Sequence, residues 1–419
     1  MDDDRCDVLI LGASFAGIEL FHKLRRSRAG RALKITVVDR QPAHGYIPLV
    51  QERLCERLDM ASTELPTARA IAQAGGRYVI GEVTGFDVDA RAVKMASGER
   101  ISGRFVVIAL GSVLAPPPGL AGREHLLGYK FAGELGEAHA HLAGLLGGAE
   151  PPVPKASSDG SAEHPYREAT MKASRRLVVI GGGISGVELA GELAHLAVRR
   201  PAGWHAPEVT LIQSGARLLP HLSERAGRRA EHHLRRQGVD LRLGTQVVRV
   251  MPGGVSVMGV GGAEDIACGG AYWAGGVRPA PVLAAFDLPR TPGGWLAVGP
   301  TLQCFPTPRP SRPDIFACGD AVRVLGGTGE WPTMQRAIEC IWQAGVVARN
   351  ILRLADEPVG YPKGVPALDP HVLREDFPHG VSIGGASLVV YGRMVVDNAT
   401  INTWFRRFLM RQYFARYTR

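Results

Sequence analysis

The sequence predicts an α/β protein that contains two parallel β-sheets with helices packed against them. Two motifs support this fold class, because in each of them an apolar strand leads directly into a glycine-rich turn and then into a helix. The first turn spans residues 12–17 and the second spans residues 181–186. Turns of this kind hold a diphosphate at the start of a helix, where free N–H groups and the helix dipole attract negative charge. The sequence therefore predicts two Rossmann-like dinucleotide-binding units.

The second turn carries the complete GxGxxG pattern. Gly181 permits the tight turn off the strand, Gly183 lets the backbone approach the phosphates, and Gly186 lets the helix pack closely on the strand. Apolar residues at helical spacing follow from Ile184 onward. This stretch is the stronger of the two predictions of a dinucleotide site.

The first turn departs from the pattern at its middle position. Gly12 and Gly17 stand at its ends, but Ser14 replaces the middle glycine, and Phe15 and Ala16 complete the turn. A serine is small enough to leave room for a phosphate. An ordinary strand-to-helix turn is the alternative interpretation of this stretch when it is taken alone.

The residue that ends the second strand of each unit bears on nucleotide recognition. In the first unit this strand ends on Asp39, followed by Arg40, and a carboxylate at this point hydrogen-bonds a ribose. In the second unit the equivalent strand ends on Gln213, so the carboxylate that would repel a 2′-phosphate is absent, and Arg217 is close in sequence. Both NADH and NADPH therefore remain open as ligands.

Length and composition favour a cytosolic protein of two or three domains. The chain has 419 residues, of which 45% are hydrophobic, and it opens with acidic residues instead of a basic signal sequence. The six cysteines include no CxxC pair, so we expect reduced thiols and no metal site. The net charge of +9 is accompanied by no helix-turn-helix, zinc or RNA-binding signature, which argues against nucleic acid.

Three further stretches connect the two units to a known class of protein. Residues 109–111 end a Val- and Ile-rich strand, residues 273–277 end the second unit, and residues 316–320 form a short strand that ends in a Gly-Asp pair. Together with the two glycine turns, in this order, they resemble the flavoproteins that bind two dinucleotides.

Within that superfamily the chain looks most like the type II NADH:quinone oxidoreductases. The closest stretches are residues 186–193, 217–220 and 272–278, and the resemblance covers most of residues 5–355. It implies that FAD lies along the first unit and that NADH or NADPH binds the second unit. A hydride then passes to the flavin, and electrons leave to a quinone.

The resemblance also implies a domain order. The FAD domain is discontinuous and comprises residues 1–112 and 298–365, and the NAD(P)H domain is inserted between them at residues 113–297. Residues 366–419 form a C-terminal segment that is α/β or helical. Within the inserted domain, residues 144–174 are rich in Pro, Gly and Ser, which predicts a surface excursion.

Site residues follow from the same resemblance, with Asp320 reaching the ribityl or phosphate oxygens of FAD. The residues expected to contact FAD are Gly12, Ser14, Phe15, Ala16, Gly17, Asp39, Arg40, Ala109, Gly111, Gly319, Asp320, Thr333 and Met334. Those expected to contact NAD(P)H are Gly181, Gly183, Ile184, Gly186, Glu188, Gln213 and Gly275.

A helix beginning at Trp331, with Pro332 in its first turn, is predicted to point its start at the flavin and to stabilise negative charge there. By the resemblance, the same helix contacts the quinone through Gln335, Ala337 and Glu339, although Glu339 stands where the family has glutamine. The alternative is that Gln335 and Glu339 are an exposed polar pair on a surface helix.

Glu188 is the candidate catalytic residue. In the resembling family, the glutamate that follows the second glycine motif lies near the flavin and the nicotinamide. The alternative is a carboxylate at a helix start, where the dipole favours negative charge.

Cysteine chemistry is weighed separately. Glutathione-reductase relatives need a close cysteine pair after the first unit, where this chain offers only Cys55. Sulfide:quinone oxidoreductases share features of the first turn but need cysteines flanking the flavin. Cys318 and Cys340 are best interpreted as small buried apolar residues.

The C-terminal segment ends in a basic, aromatic stretch. Phe405, Leu409, Tyr413 and Tyr417 form a stripe with a spacing of four residues, flanked by arginines. Such a helix suits the surface of an anionic membrane, which predicts a cytoplasmic protein held peripherally on the inner face of the cell membrane. The alternative is a packed helix, including one at a homodimer interface.

The sequence therefore predicts an FAD-dependent NAD(P)H:quinone oxidoreductase. One alternative is a soluble NAD(P)H-dependent reductase of a ferredoxin-type carrier or a small molecule. Another is a redox sensor that binds flavin and NAD(P)H and changes shape without significant turnover.

Overall fold

The computed structural model describes residues 5–58, 63–147, 175–304, 314–326, 329–331, 336–356, 367–373 and 377–417. The helices are α1 (Phe15–Arg26), α2 (Arg28–Ala32), α3 (Val50–Leu54), α4 (Thr67–Gln73), α5 (Ala132–Gly147), α6 (Ile184–His195), α7 (Glu224–Arg236), α8 (Ala337–Ala355) and α9 (Ala399–Ala415). Among these described helices, none combines the length and the apolar character that crossing a bilayer requires.

The first sheet has a parallel centre and an antiparallel edge. Its strands are β1 (Arg5–Leu11), β2 (Ile35–Asp39), β5 (Arg77–Ile80), β6 (Val83–Asp87), β7 (Ala92–Met95), β8 (Arg100–Ile108) and β19 (Ile315–Ala317). They lie in the order β5-β2-β1-β8-β7-β6, and β19 also pairs with β8 in parallel. The centre is buried on both faces, which explains why β1 and β8 end in the continuous apolar runs at residues 8–11 and 105–108.

The second sheet is wholly parallel, in the order β12-β11-β10-β16. Its strands are β10 (Arg176–Ile180), β11 (Glu208–Gln213), β12 (Asp240–Leu243) and β16 (Gly270–Trp273). One face packs against a small antiparallel sheet made of β13 (Gln246–Met251), β14 (Gly254–Gly259) and β15 (Gly262–Ala267). The predicted α/β fold with two parallel-stranded units is therefore confirmed.

Two chain crossings join the units, and they pair with each other. The strand β9 (Ser112–Leu114) leaves the first unit and is antiparallel to β17 (Val277–Pro279), which returns to it. Leu283 and Phe286, just after β17, already lie in the core of the first unit. The chain therefore rejoins the first core before residue 298, the boundary expected from the resemblance.

The remaining short strands complete the connections. They are β3 (His44–Gly45), β4 (Glu64–Leu65), β18 (Leu296–Val298), β20 (Val322–Gly326) and β21 (Gly329–Trp331).

Two local predictions need correction. The excursion expected from residue 144 does not begin there, because α5 continues to Gly147 with Leu146 fully buried, and residues 148–174 lie outside the described part of the chain. The predicted start of the next helix at Trp331 is also wrong. Trp331 ends β21, where it pairs with Val324, and α8 begins at Ala337 after the extended residue Arg336.

The C-terminal segment is α/β and packs against both units. Its strands β22 (His379–Ile383), β23 (Ala386–Tyr391) and β24 (Met394–Asp397) form an antiparallel sheet, and α9 follows. The turn after β22 meets α6 at Gly191, where an added Cβ would lie 2.7 Å from the Ile383 Cα. A glycine is therefore needed for this sheet to approach α6.

Gly191→Ala should lower the free energy of unfolding by about 1–3 kcal/mol, because the new methyl group meets backbone that cannot rotate away. Gly136→Ala, on the exposed side of α5 with no atom within 4 Å of the added Cβ, is the matched control and should raise it by roughly 0.5–1 kcal/mol. Urea unfolding of both variants measures the difference. Equal stability of the two variants would show that the sheet does not depend on this contact.

Candidate functional site

The first candidate site lies where the carboxyl ends of four parallel strands meet. These strands are β2, β1, β8 and β19, which are followed in turn by Arg40, Gly12, Ala109 and Cys318. Crevices at the carboxyl ends of parallel strands are where α/β proteins bind nucleotides.

Steric contacts explain the two glycines of the first turn. Gly12 has a φ of +100°, and a Cβ there would lie 2.4 Å from the Ala109 carbonyl oxygen. A Cβ on Gly17 would lie 1.8 Å from the Gly12 carbonyl oxygen. Ser14, at the middle position, is tolerated because its Oγ finds a partner in His44 Nδ1 at 3.2 Å. The chain's own packing therefore requires the outer glycines and accepts the serine.

Asp39 braces the first turn. Its Oδ2 accepts the Ala13 N–H at 2.7 Å and its Oδ1 accepts the Gln41 N–H at 2.9 Å. Burial raises the pKa of Asp39, while these hydrogen bonds act in the opposite direction. The neighbouring Arg40 is exposed, with its guanidinium 5.1 Å from the centre of the Phe131 ring. The Asp39 carboxylate and the Arg40 guanidinium thus lie at this end of the crevice.

The helix starts behind both glycine turns lack their usual caps. The N-cap residues Ser14 of α1 and Gly183 of α6 make no side-chain capping bond with any described residue, and neither first turn carries an acidic residue. By contrast, Ser223 caps α7 and Glu224 follows it. Uncapped N–H groups and an uncompensated dipole attract an anion. Phe15 and Ile184, the first residues of α1 and α6, therefore stand beside two matching anion sites.

The second turn shows which glycine serves a ligand. A Cβ on Gly181 would lie 2.6 Å from the Gly275 Cα, and one on Gly186 would lie 1.7 Å from the Gly181 carbonyl oxygen. At Gly183, by contrast, no atom of the described chain lies within 4 Å of an added Cβ. The fold demands Gly181 and Gly186, whereas at Gly183 it leaves open space next to an uncapped helix start. That space fits a diphosphate.

Gln213 in the second unit takes the place of Asp39 in the first. Its Oε1 accepts the Gly182 N–H at 2.9 Å, just as Asp39 accepts the Ala13 N–H. The nearby Arg217 is occupied by the chain itself, since its guanidinium donates to the carbonyl oxygens of Leu219 and Leu222, both at 3.1 Å. Arg217 is therefore committed to backbone and is poorly placed to hold a 2′-phosphate.

A lysine that the sequence did not single out neutralises Asp320. Lys130 is mostly buried, and its Nζ donates to the Ser112 Oγ at 2.8 Å and lies 3.8 Å from the Asp320 Oδ2. The Ser112 Oγ in turn donates to Asp320 at 3.1 Å. Burial lowers the pKa of Lys130, and the Asp320 carboxylate opposes this. Lys130 lies in the connection between the units, where no periodicity or motif marks it.

The other predicted residues of this edge lie close together. Gly319 has a φ of +77° and begins a short 3-10 turn, and an added Cβ there would lie 3.1 Å from the Ala16 Cβ. Gly111, with a φ of +69°, connects β8 to β9 in open space.

Glu188 is buried beneath the C-terminal segment. Its carboxylate accepts the Ser382 N–H at 3.1 Å and the Gln51 Nε2–H at 3.4 Å, and Arg406 lies 3.6 Å away. Burial raises the pKa of Glu188 to about 7, although Arg406 acts in the opposite direction. Glu188 is the fifth residue of α6, and α3, β22 and α9 supply its contacts, so the dipole at the helix start does not account for its environment.

Glu188 belongs to a larger buried cluster. Glu192 pairs with Arg57 and accepts the Ser382 Oγ–H at 3.1 Å, and Glu52 pairs with Arg406 at 3.2 Å. Three carboxyl groups thus face two guanidinium groups, so the cluster is neutral when one carboxyl keeps its proton. Burial raises the pKa of both Glu188 and Glu52, and it raises that of Glu188 to about 7. The partners come from α3, the turn after it that carries Arg57, α6, β22 and α9, and no local sequence pattern connects them.

The residues predicted to meet a quinone are only partly described. Thr333, Met334 and Gln335 lie outside the described residues, and Ala337 is the first residue of α8. Glu339 is buried, where its Oε1 pairs with His371 Nε2 at 2.5 Å and accepts the Gln343 Nε2–H at 3.2 Å. The interpretation of Glu339 as part of an exposed pair is therefore wrong.

Gln343 joins this buried pair to the carboxyl edge of the first sheet. Its Oε1 accepts the Gly319 N–H at 2.7 Å, so Glu339, Gln343 and Gly319 form one hydrogen-bonded chain. Sequence reasoning missed Gln343 and His371, because a buried polar side chain on an apolar helix face has no distinct signature.

All six cysteines are buried and unbridged. Burial raises the pKa of the Cys318 thiol to about 12 and that of Cys55 well above its ordinary value, so neither is a thiolate at neutral pH. This agrees with the interpretation of Cys318 and Cys340 as small core residues and gives no support to dithiol chemistry.

Comparisons with known proteins agree with this architecture. The family model for pyridine nucleotide-disulphide oxidoreductases matches residues 6–344. The type II NADH:quinone oxidoreductase of Staphylococcus aureus is 24% identical over 359 residues, which cover 84% of each chain.

Two solved structures share the fold. NDH2 from Plasmodium falciparum in complex with NADH has a TM-score of 0.79 and 13% sequence identity, covering 98% of this chain and 95% of that chain. The sulfide:quinone oxidoreductase of Aquifex aeolicus has a TM-score of 0.72 and 17% identity, covering 98% and 92%.

The Glu188 proton should be visible in the pH dependence of stability. The folded-state pKa of about 7 exceeds the ordinary value of 4.5, so the folded protein binds more protons between these values and loses stability as the pH rises through them. Relative to Glu188→Gln, the free energy of unfolding of the wild type should fall by on the order of 3 kcal/mol as the pH rises across this window. Denaturant unfolding at both ends of the window measures the loss.

Glu124→Gln, whose side chain is 69% exposed, is the control and should change with pH as the wild type does. Parallel pH profiles for the wild type and Glu188→Gln would show that Glu188 is ionised throughout the window.

Proposed function

Because the chain belongs to the pyridine nucleotide-disulphide oxidoreductase family, we propose that it is an FAD-dependent NAD(P)H oxidoreductase that passes electrons to a quinone. One observation carries the proposal: two uncapped helix starts stand behind two glycine turns, each at the carboxyl edge of its own parallel sheet. A chain with two such edges is built to bring two dinucleotides together.

FAD occupies the first site in this proposal. Asp39 lies where a ribose binds, and Asp320 with Lys130 lies across the same edge. Bound FAD supplies the hydride and electron chemistry, and the protein supplies position and charge. Further residues placed along FAD are Gly12, Ser14, Phe15, Ala16, Gly17, Arg40, Ala109, Gly111 and Gly319.

NADH is the proposed electron donor. The open space at Gly183 receives the diphosphate, between Gly181, Ile184 and Gly186, with Gly275 behind the turn. Gln213 neither repels a 2′-phosphate nor attracts one, and Arg217 is held by backbone carbonyls. NADPH is therefore a weaker donor that is not excluded.

A quinone is the proposed acceptor. The type II NADH:quinone oxidoreductase of Staphylococcus aureus supports this choice, and the six buried, unbridged cysteines disfavour a dithiol acceptor. Reduction of a quinone to a quinol by NADH needs one proton in addition to the hydride that NADH supplies. Glu188, whose pKa is raised to about 7, is the proposed source. By the resemblance, Gln335, Ala337 and Glu339 are the residues proposed to contact the quinone.

A peripheral position on the inner face of the cell membrane completes the proposal. The middle of α9 exposes Trp404 (65%), Phe405 (39%), Phe408 (41%) and Leu409 (45%). Arg407 and Arg411 are exposed beside them. Aromatic and cationic side chains on one helix suit the boundary between headgroups and acyl chains. A homodimer contact is the alternative for this surface.

Gly183→Val should separate the two sites. The fold has room for the side chain, so FAD should remain bound, but the side chain fills the space for the NADH diphosphate. Bleaching of the flavin at a fixed NADH concentration should slow at least about 100-fold, equal to about 2.7 kcal/mol. Gly186→Val, which clashes with Gly181, should instead unfold the second unit. Loss of FAD from Gly183→Val would show that the two sites are misassigned.

Lys130→Met should weaken FAD binding about tenfold, because the Asp320 charge would then face the FAD diphosphate without compensation. In the Asp320→Asn background, the same substitution should weaken FAD binding much less. Equilibrium dialysis of FAD with the four proteins of this double-mutant cycle measures the coupling. Additive losses would show that Lys130 does not act through Asp320.

Trp404→Ser/Phe408→Ser should release the protein from liposomes without loss of fold, because both side chains are exposed. Deleting the whole of α9 is unsuitable as a test, since Tyr413 and Tyr417 are buried in the first core. Sedimentation with vesicles measures binding, and size-exclusion chromatography tests the dimer alternative. Unchanged sedimentation together with a smaller oligomer would assign this surface to a dimer.

A further inference from the structure

The ends of α1 and α9 enclose a basic groove on the surface of the first unit. The groove is lined by His22, Arg25, Arg26, Arg31, Gln412 and Arg416. No acidic side chain is among the described lining residues. The buried Glu19 lies nearby, where its carboxylate is engaged by the Tyr417 hydroxyl and by Lys23.

The arginines of the basic groove differ in their roles. Arg25 is structural, because its guanidinium donates to the carbonyl oxygens of Leu33 at 2.9 Å and Gly75 at 2.7 Å. Arg26, Arg31 and Arg416 are exposed and form no ion pair with a carboxylate in the described part of the chain. Three uncompensated positive charges therefore surround the opening of the groove.

His22 adds a buried polar group to the groove. Its side chain is packed against Phe21 and Tyr417, and the residue is only 9% exposed. Its Nε2 has no hydrogen-bond partner among the described residues. Burial lowers the pKa of His22 to about 4, so the ring is neutral at neutral pH. An unpartnered buried nitrogen is costly unless a ligand satisfies it.

The basic groove continues the exposed face of α9. Trp404, Phe408 and Gln412 are exposed at a spacing of four residues along α9, where each step turns by about 40°, and Arg416 follows just after the end of the helix. Trp404 and Phe408 stack on each other with ring centres 5.5 Å apart. The exposed surface of α9 therefore carries aromatic side chains in its middle and leads to the groove residue Arg416 just past its end.

We propose that the basic groove binds the phosphate of an anionic phospholipid headgroup while the exposed aromatic side chains of α9 enter the boundary of the bilayer. The inference rests on the membrane association proposed above. The arginines supply the charge complementarity, and the adjoining aromatic surface selects a phosphate that belongs to a lipid. Membrane binding thereby becomes selective for anionic lipid at a defined place.

The test uses the full-length, FAD-loaded protein and vesicles of phosphatidylcholine with and without phosphatidylglycerol. Arg26→Gln/Arg416→Gln should reduce partitioning onto the phosphatidylglycerol vesicles at least about 10-fold and leave binding to pure phosphatidylcholine unchanged. Arg225→Gln/Arg228→Gln, which removes two exposed charges from α7, is the matched control and should stay within about twofold of the wild type. Unchanged thermal unfolding confirms that both variants are folded.

A second variant addresses the buried nitrogen. His22→Phe keeps a ring against Tyr417 but removes Nε2, and it should also weaken binding to the phosphatidylglycerol vesicles. Glycerol phosphate and inorganic phosphate are added separately as soluble competitors, and neither should displace the protein when the ionic strength is held constant.

Four results would overturn the proposal. An equal loss in the two arginine pairs would mean that only net charge matters. Displacement by glycerol phosphate or inorganic phosphate would assign the groove to a soluble anion. Equal binding of the wild type to both kinds of vesicle would contradict a lipid site in the groove but would leave the proposed membrane association standing. Binding to neither kind of vesicle would contradict both proposals.

Discussion

Close backbone approach at two glycines sets up both candidate sites. Gly17 and Gly186 have no Cβ, so α1 and α6 can begin directly against the turns that precede them, where any other residue would lie within 2 Å of a carbonyl oxygen. This approach aims the uncapped helix starts at the carboxyl edges of the two sheets. The positions of Asp39 and Gln213 follow, because each accepts an N–H from the turn beside it. Dinucleotide binding in both units depends on this steric constraint.

The second organising feature is the buried cluster around Glu188. It draws side chains from the first unit, the second unit and the C-terminal segment into one network, so these three parts of the chain are mutually ordered. Burying charges is costly unless they are paired, and Arg57 and Arg406 pair two of the three carboxylates. The cluster is neutral only if the third carboxyl group keeps a proton. This proton is the one that the proposed reduction of a quinone would use.

The sequence was sufficient for the features that local pattern determines. Both glycine turns, the strands before them and the ends of the next strands at Asp39 and Gln213 were predictable, because strand, turn, helix and strand are consecutive there. Lys130, Gln343 and the partners of Glu188 were not, since their contacts join elements that are distant in sequence. The predicted stripe from Phe405 to Tyr417 does not lie on one face, for a geometric reason. Four residues exceed one helical turn by about 40°, so the stripe passes from the exposed Phe405 to the buried Tyr417.

The most direct test of the proposed function is a stopped-flow experiment in two steps. The purified protein with its FAD is first mixed with NADH or NADPH while flavin absorbance is followed, and the reduced protein is then mixed with a soluble quinone analogue. We predict fast bleaching by NADH, slower bleaching by NADPH, and fast reoxidation by the quinone. Fast bleaching followed by a reduced flavin that the quinone does not reoxidise would contradict the assignment of the acceptor. The absence of bleaching by either nucleotide would contradict the proposed enzyme altogether.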